Sequence, residues 1–565
     1  MVAQPVAPKP RYRVKAGSAR DAQPSAAYFH GNDKSPFLAS WNPALREAYK
    51  DSQVAWTKAA ARSIDAIHNS GFLAGAVDVS ESFVVGSGLR LAARADQEAL
   101  GWSDDYTNEW TSKAENVWQD WADNLAECDA GCRMTFGQMQ QAAYRSWIAF
   151  GEVLASTPLL RRPWGRWNTK MLLLEPSRII DRNEGNRVIQ GVEVDGYGAP
   201  LSYLIHQPDP FIGHREVRVQ ARDRDGRPNL VHVFAPSINT TRGVSPLAPV
   251  LKVIRQIDQY ADATLTSAMI QTIFAATIRS DISGISAFEG LMTEKDGMEK
   301  EGVLNLNGFA AAKEQWYDGA KIDLTQHGRI AHMFPNDTLE FTEAKQPGQQ
   351  YDGFMSWLLR EVARGAGVTY EAATGDYRGA TYSSVRMAGA IEWLTVMKRR
   401  TNIIVPFSQS AYETVLEEAI GTGRLEFPGG LPGYLANKTA ASRAKWTGPA
   451  QPQADDFKTA RAFEVMKEMG VITLAEISSS YGRDWDDDMR QRAREKAYAI
   501  KHGLPDPWAP KDIMEVPGGV EASLRDAEGG DSSEKKDPKR PGASPKGTKR
   551  SGGVRTTGDT EPQDE

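Results

Sequence analysis

The sequence predicts a mainly helical α+β protein. Three observations carry that reading: amphipathic helical stripes precede a small β-rich insert, very long helical stretches fill the second half, and both chain ends are compositionally biased. At 565 residues the chain exceeds what one hydrophobic core organises, so several structural regions are expected. Hydrophobic residues make up 41% and charged residues 25%, the balance of a water-soluble chain.

Residues 1–40 are rich in Pro, Ala and basic side chains without periodicity, which predicts a flexible arm. Their start, "MVAQPVAPKPRYRVKAGSAR", lacks the apolar run of a secretory signal. Helical material begins at "WNPALREAYK". In "TNEWTSKAENVWQDWADNLAEC", Trp110, Ala114, Val117, Trp118, Trp121 and Leu125 recur at helical spacing and form one apolar face. "MTFGQMQQAAYRSWIAFGEVLAS" repeats the pattern with Phe136, Met139, Ala143, Trp147 and Phe150, and both stripes are expected in the core. After Arg162 the pattern shortens. "MLLLEPSRI", "RVIQGVEV", "LSYLIHQ" and "LVHVFAP" predict a β-rich module at about 163–235. "VDGYGAP" (194–200) is its hairpin turn, because Asp-Gly tolerates positive φ.

The second half opens with "TTRGVSPLAPVLKVIRQIDQYADATLTSAMIQTIFAATIRSD". Ser245 suits a helix cap and Pro246 the first helical position. Nothing breaks the pattern before about Ile278, so a helix of about 50 Å is expected. Its last part, 263–278, carries no charge. Leu265, Met269, Ile273 and Ala276 form one stripe and Ile270, Phe274 and Ile278 another, with Ala263, Ser267, Ala268 and Ala275 between. Its hydroxyl and amide side chains and its length fall short of the roughly 20 apolar residues that cross a bilayer. A helix apolar on two sides needs partners on both flanks, whether from its own chain or from further copies.

Short strands and turns return at 281–346, as in "EGVLNLNGFAA" and "MFPNDTLEFTEA". "QQYDGFMSWLLREVARGAGV" predicts a helix up to Gly365 and Gly367, and "TYEAATGDYRGATY" has too many Gly and Thr for regular structure. "SSVRMAGAIEWLTVMKRRTNIIVPFSQSAYETVLEEAIGTG" predicts a very long helix that Pro406 kinks. Beyond "KWTGPAQPQADD" come two amphipathic segments to about His502, and from 505 a disordered tail of Gly, Pro, Ser and mixed charge.

The chain shows no phosphate loop, paired helical His or Gly-x-Ser-x-Gly elbow. "VVGSGLRL" has two glycines of a dinucleotide fingerprint but not the third. In "DWDDDMRQRARE", Asp484, Asp486, Asp488 and Glu495 have calcium-loop spacing, but Met489 replaces the turn glycine; an acidic helix start explains the run more simply. Cys128 and Cys132 in "CDAGC", four apart on an expected helix, read as reduced thiols without a second pair to complete a metal site. No catalysis, metal or cofactor is therefore expected. With 67 Lys and Arg against 73 Asp and Glu, net −6, the chain does not advertise tight phosphate binding.

Four elements in order, "SESFVVGSGLRL", "HVFAPSINTTRGVSPLAPVL", "GATYSSVRMAGAIEWL" and "WTGP", are similar to the phage portal proteins of the lambda type, across about residues 41–502. The resemblance implies a portal-type fold in a ring of usually twelve copies at one capsid vertex, the head-tail connector through which DNA is packaged and ejected. It implies a wing at 41–245 holding the β-rich module, a first stem helix at 246–280, an α/β clip at 281–346 and a second stem helix at 347–367. A tunnel loop at 368–382, a long kinked wing helix and connection at 383–450 and a helical crown at 451–504 complete the plan, leaving the arm at 1–40 and the tail at 505–565. Implied partners are further copies, double-stranded DNA, the terminase large subunit, head-completion or adaptor proteins, and major capsid and scaffolding proteins, with no membrane. The implied location is the virion, after assembly in the host cytoplasm.

In that frame Leu265, Met269, Ile270, Ile273, Phe274 and Ile278 are expected at the oligomer interface. Tyr370, Tyr377, Arg378, Arg360 and Arg364 are candidates to touch DNA in the channel. The competing expectation is that these tyrosines pack and the arginines pair with Glu361, Glu371 or Asp376. Rival functions are a nuclease or translocase subunit, a membrane channel built from 263–278, or the same ring in a gene-transfer particle or prophage remnant.

Overall fold

The computed structural model describes residues 48–273, 276–280, 315, 337–341, 349–452 and 456–509, less positions 186, 210, 212 and 239. The expected arm, most of the clip and nearly all of the tail lie outside the described residues. The chain divides into a unit of Met1–Asp488 and a unit of Met489–Glu565.

The first unit opens with helices α1 (Ala48–Asn69) and α2 (Gly71–Val84), strand β1 (Arg90–Ala93), the short α3 (Gln97–Leu100) and α4 (Asp104–Ala122). The Ser103 hydroxyl caps α4 by accepting from the Tyr106 N–H. Trp110, Ala114, Trp118 and Trp121 are buried on its inner face, as the stripe predicts. Leu125 departs from that stripe: α4 stops at Ala122, so Leu125 starts the one-turn α5 (Leu125–Cys128) and is 42% exposed. The two cysteines also part company. Cys128 ends α5, whereas Cys132 sits beyond it at φ +51, in a loop closed by the Asp129 carboxylate accepting from the N–H groups of Gly131, Arg133 and Met134. Burial pushes the Cys128 thiol up to about 12, so it stays protonated. Helix α6 (Phe136–Phe150) starts in a capping box of Thr135 and Gln138, and Phe136, Met139, Ala143 and Trp147 are buried.

Strand β2 (Glu152–Ser156) lies between β3 (Leu172–Leu174) and β8 (Leu230–Phe234), all antiparallel. The strands β4 (Val188–Ile189), β5 (Val192–Val194), β6 (Pro200–Asp209) and β7 (Gly213–Gln220) form an antiparallel meander. A turn joins β5 and β6 where one is expected, but the positive φ falls on Gly198 and not on Gly196 of the Asp-Gly pair. The Asp195 carboxylate accepts from the N–H groups of Tyr197 and Ala199, and Gly198 takes φ +92.

One buried charge joins this module to the helices. Glu152 accepts from Arg242, whose Nε lies 2.8 Å away, from the His232 ring at 3.0 Å and from the Gly243 N–H at 3.0 Å. Arg242 also donates to the Pro176 carbonyl and lies 4.1 Å from the ring centroid of Trp56 on α1. Burial pushes the Glu152 carboxyl upward, but Arg242 and His232 outweigh it and hold the group at about 2.

Helix α7 (Leu251–Ile273) is shorter than expected at both ends. Ser245 Oγ does accept from the Leu247 N–H, but Pro246 lies outside the helix and a 3-10 turn, Ala248–Val250, intervenes. The Ala248 and Val250 N–H groups donate three residues back, to Ser245 and Leu247, in this tighter turn, and regular α-helix starts beyond it. At the other end 276–280 is not helical. Strand β9 (Ala276–Ser280) pairs antiparallel with β10 (Asp337–Phe341), with Ile278 opposite Leu339. Neither segment fills the ladder alone: Thr277, Ile278 and Thr338 are β-branched, and each ladder supplies the hydrogen bonds a helix end would lack. The 23-residue helix is about 34 Å long rather than 50.

Helix α8 (Gln349–Ala366) packs on α7, with Tyr260 stacked on Tyr351 at 5.3 Å and edge-on to Phe354 at 5.2 Å. The next stretch holds a short helix after all, α9 (Tyr370–Thr374), because the Thr369 side chain caps its start and Gly375 at φ +68 closes its end. Then come α10 (Tyr382–Arg399), a π-helical turn at Arg400–Ile404 and α11 (Val405–Gly421). The interruption expected at Pro406 thus takes the form of a widened turn just before it, which absorbs the missing proline donor. After α12 (Gly430–Ala436) and α13 (Lys438–Ala441), strand β11 (Ala444–Thr447) pairs with β1, setting Trp446 opposite Leu91. Helices α14 (Asp456–Glu468), α15 (Leu474–Ser480) and α16 (Trp485–Lys501) follow, and Asp486–Asp488 occupy the first turn of α16.

The core centres on Trp118. Its ring meets Phe136, Tyr412 and Trp446 edge-on at 4.9, 5.7 and 5.5 Å, tying α4 to α6, α11 and β11. Each such pair is worth about 0.5–1.5 kcal/mol beyond its burial.

Replacing Glu152 with Ala is expected to cost about 3–5 kcal/mol, because Arg242 would stay buried without its counter-charge. Glu152 is held below its ordinary 4.5, so its stabilisation is complete above that value and is lost as pH falls toward 2. Acid melts of the parent should steepen across that window, and melts of Glu152→Gln should not.

Candidate functional site

The residues singled out at 360–378 gather where α8, α9 and α10 meet. Two glycines set the approach. A side chain on Gly365 would meet the Val250 methyls at 2.7 Å, so the helix must be bare there to lie against the 3-10 turn before α7. Gly367, at φ +80, leaves room for the Arg399 guanidinium, which a Cβ would meet at 2.3 Å. Arg399 donates to the Ala366 carbonyl, to Ser80 Oγ at 3.0 Å and to the Tyr144 hydroxyl at 3.1 Å.

Arg400 does the same for another helix end. It donates to the carbonyls of Phe83 and Val84 at 2.8 and 2.9 Å, closing the C-terminus of α2, and to the Pro449 carbonyl at 3.3 Å. Gly448 is bare against it, since a Cβ would meet the guanidinium at 2.5 Å. Burial pulls the Arg400 guanidinium down to about 10, still far above neutrality. Its buried charge is met by the carbonyl end of a helix dipole.

On the loop itself, Arg378 is engaged within its own chain. Its side chain reaches Asp376 at 2.8 Å and Asp352 at 3.6 Å, and its N–H donates to Asp376 at 3.0 Å. These bonds hold the Asp376 carboxyl well below the usual range. Tyr370 donates to Ser356 and Asp376, both at 3.3 Å, and the Arg360 guanidinium lies 4.7 Å over its ring. The pairing partner is thus Asp376, joined by Asp352, and neither Glu361 nor Glu371. Arg364 is exposed and has no ion-pair partner among the described residues. Tyr377 is 56% exposed and lines a cleft of about 440 Å³ with Phe83, Tyr382 and Trp393. Beside it, Glu392 accepts from the Thr369 N–H at 3.1 Å, and burial raises its carboxyl above the ordinary range.

The apolar residues expected at an interface divide by position. Leu265 and Met269 on α7 are 62% and 59% exposed. The side chains of Ile270, Ile273 and Ile278, and the whole of Phe274, lie outside the described residues. Further exposed apolar groups escaped the sequence reading. Phe354 and Trp357 on α8 are 49% and 59% exposed, and Met387, Ile391 and Leu394 on α10 are 64%, 46% and 71% exposed. The last three recur at i, i+4 and i+7, with Glu392 and Val396 turned inward, so the signal was present as a second apolar stripe on a helix read only for length. Among the described residues no helix is long and apolar enough to cross a membrane.

A family model for the lambda family of phage portal proteins matches residues 34–400. The portal protein of Escherichia phage N15 is 26% identical over 482 residues, spanning 84% of this chain and 90% of the relative. Portal protein B of Escherichia phage lambda is 25% identical over the same length, with the same two shares. Among solved structures, a chain from the neck of an empty gene-transfer-agent particle aligns with 83% of this chain and 98% of its own, at 12% identity and TM-score 0.41.

Gly367→Ala should destabilise the chain by about 1–3 kcal/mol, through a disfavoured φ and a displaced Arg399. Arg378→Ala, which removes only exposed pairs, should leave the thermal midpoint unchanged. Thermal melts of the two variants beside the parent check both.

Proposed function

This chain belongs to the lambda family of phage portal proteins, and on that footing we propose that its copies close into a ring of twelve that serves as the head-tail connector of the virion. What supports the ring is the row of exposed apolar side chains on α10. Met387, Ile391 and Leu394 lie on one face of a helix in a chain of otherwise soluble composition, and a lone copy would leave them in water. A neighbour on each flank removes that cost, and closed rings are the economical way to give every copy two neighbours.

In this reading α7 and α8 are the two stem helices, and the clip between them (281–346) docks the terminase large subunit first and head-completion or adaptor proteins later. Residues 41–245 and 383–450 make the wing, 451–504 the crown, and 368–382 the tunnel loop. Major capsid and scaffolding proteins surround the ring, which assembles in the host cytoplasm. Double-stranded DNA passes through the middle. The role is mechanical, without catalysis: the net charge of −6 suits a conduit that must not grip phosphates. Braking contacts fall to Arg364 and Tyr377, which are exposed, rather than to Arg378, Arg360 and Tyr370, whose charges and rings are engaged within the chain.

Negative-stain microscopy of the purified chain should show annuli with a central hole. Leu394→Asp should remain folded by circular dichroism while losing the annuli, since burial of one leucine is worth about 1.5–3 kcal/mol at every joint. A parent chain that stays a single copy at high concentration would overturn the ring. With rings intact, Arg364→Ala combined with Tyr377→Gly should lower DNA packaging or retention in particles, and unchanged packaging would remove both residues from the channel's work.

A further inference from the structure

We propose that the groove between α1 and α7 is the receiving half of a head-to-tail joint, and that the acidic start of α4 on a neighbouring copy fills it. The inference deepens the ring reading and rests on it.

The groove measures about 970 Å³ and is walled by Lys58 and Arg62 on α1 and by Lys252 and Arg255 on α7. All four are exposed. Lys58 and Arg62 stand one helical turn apart, and Lys252 and Arg255 face them at i, i+3 spacing. Among the described residues Lys58, Arg62 and Lys252 have no ion-pair partner, and Arg255 faces Asp258 in the same groove. The other acid there, Asp65, is already bonded by the Asn69 amide at 2.7 Å. Four cations against two carboxylates make the empty groove repulsive. An acidic occupant relieves it. Ala55, Ala59 and Ala248 line the same groove and leave space for a bulky ring.

The start of α4 has the opposite character. Asp104 and Asp105 are exposed and have no partner among the described residues, and Tyr106 beside them is 38% exposed, with one side of its ring edge-on to Trp102 at 4.9 Å. Two carboxylates and an aromatic ring match four cations and an alanine-lined floor. In the chain itself α4 packs on β1 and α11, whereas the groove belongs to α1 and α7. A head-to-tail ring needs two different surfaces on each copy, and these two differ in both place and sign. DNA phosphates would also suit the cations, but an open duplex would make no use of the alanine floor or of the unpaired acids elsewhere on the chain.

The test is a charge swap in the full chain, read by native mass spectrometry and negative stain at low salt. Lys58→Glu with Arg62→Glu, and separately Asp104→Lys with Asp105→Lys, should each lower the ring fraction by about tenfold or more. Both should keep the parent's circular dichroism, because every altered side chain is exposed, although the second gives up the two carboxylates in the first turn of α4 and should melt slightly lower. Mixed in equal amounts, the two variants should form rings again, since alternating copies restore an opposite-charge contact at every joint. Rings formed normally by either variant alone would overturn the proposal, as would a mixture that stays unassembled. Weakened DNA binding by the first variant with rings intact would assign the groove to nucleic acid and overturn it too. The parent chain run alongside separates the two ideas: its failure to form rings would sink the ring itself rather than this joint.

Discussion

Two adjacent arginines hold the first unit together at its helix ends. Arg399, the last residue of α10, donates to the Ala366 carbonyl at the end of α8, and Arg400, the first of the π-helical turn, donates to the otherwise orphaned carbonyls of Phe83 and Val84 at the end of α2. A guanidinium suits the task because its donors are fixed in a plane and it never loses its charge near neutrality. The cost is steric. Gly367 and Gly448 must both be bare for the two side chains to lie where they do. Three stretches far apart in sequence, "SESFVV", "VARGAGV" and "WTGP", are therefore constrained by the same pair of residues.

The second constraint is the buried carboxylate of Glu152. Arg242 alone ties it to the Pro176 carbonyl and the Trp56 ring, while His232 and Gly243 complete its shell. A fully buried ion pair is a poor source of stability compared with well-packed apolar groups. It does specify geometry, because only one placement of the strands and α1 satisfies every donor. The module is small and its own core is slight, so orientation by a charge compensates for what packing cannot supply.

These internal constraints bear on function by leaving other surfaces unspent. Arg378 pairs with Asp376 and Asp352 at the chain's surface, and the arginines that stabilise helix ends are used up inside it. The exposed stripe on α10 and the basic groove beside α7 are not. The ring we propose is a use for surfaces of that kind: apolar contact would give its joint strength, while charge would set which flank meets which.

Much of this was legible before any coordinates. Periodicity located α4 and α6 because helix burial repeats every 3.6 residues, unbroken helical runs located α8 and α10, and the glycine-bearing stretch after Asp195 marked the β5–β6 turn because turn chemistry is local. The order of four motifs carried the family. What the sequence could not decide was where a local preference yields to a distant one. The uncharged run at 263–278 reads as one helix, yet its end becomes β9 because β10, some sixty residues later, offers a ladder. For Arg378 the sequence left open a free cation or a pair with Glu361, Glu371 or Asp376, and the fold brings Asp352 from another helix to join Asp376 beside it. Gly367 reads as the end of a helix, yet it also makes room for a guanidinium that arrives from elsewhere in the chain, as Gly448 of the "WTGP" element does. Backbone periodicity and turn chemistry are properties of neighbours along the chain, so the sequence determined the elements. Strand partners, helix-end donors and charge pairing are properties of neighbours in space, and only the tertiary structure decided those.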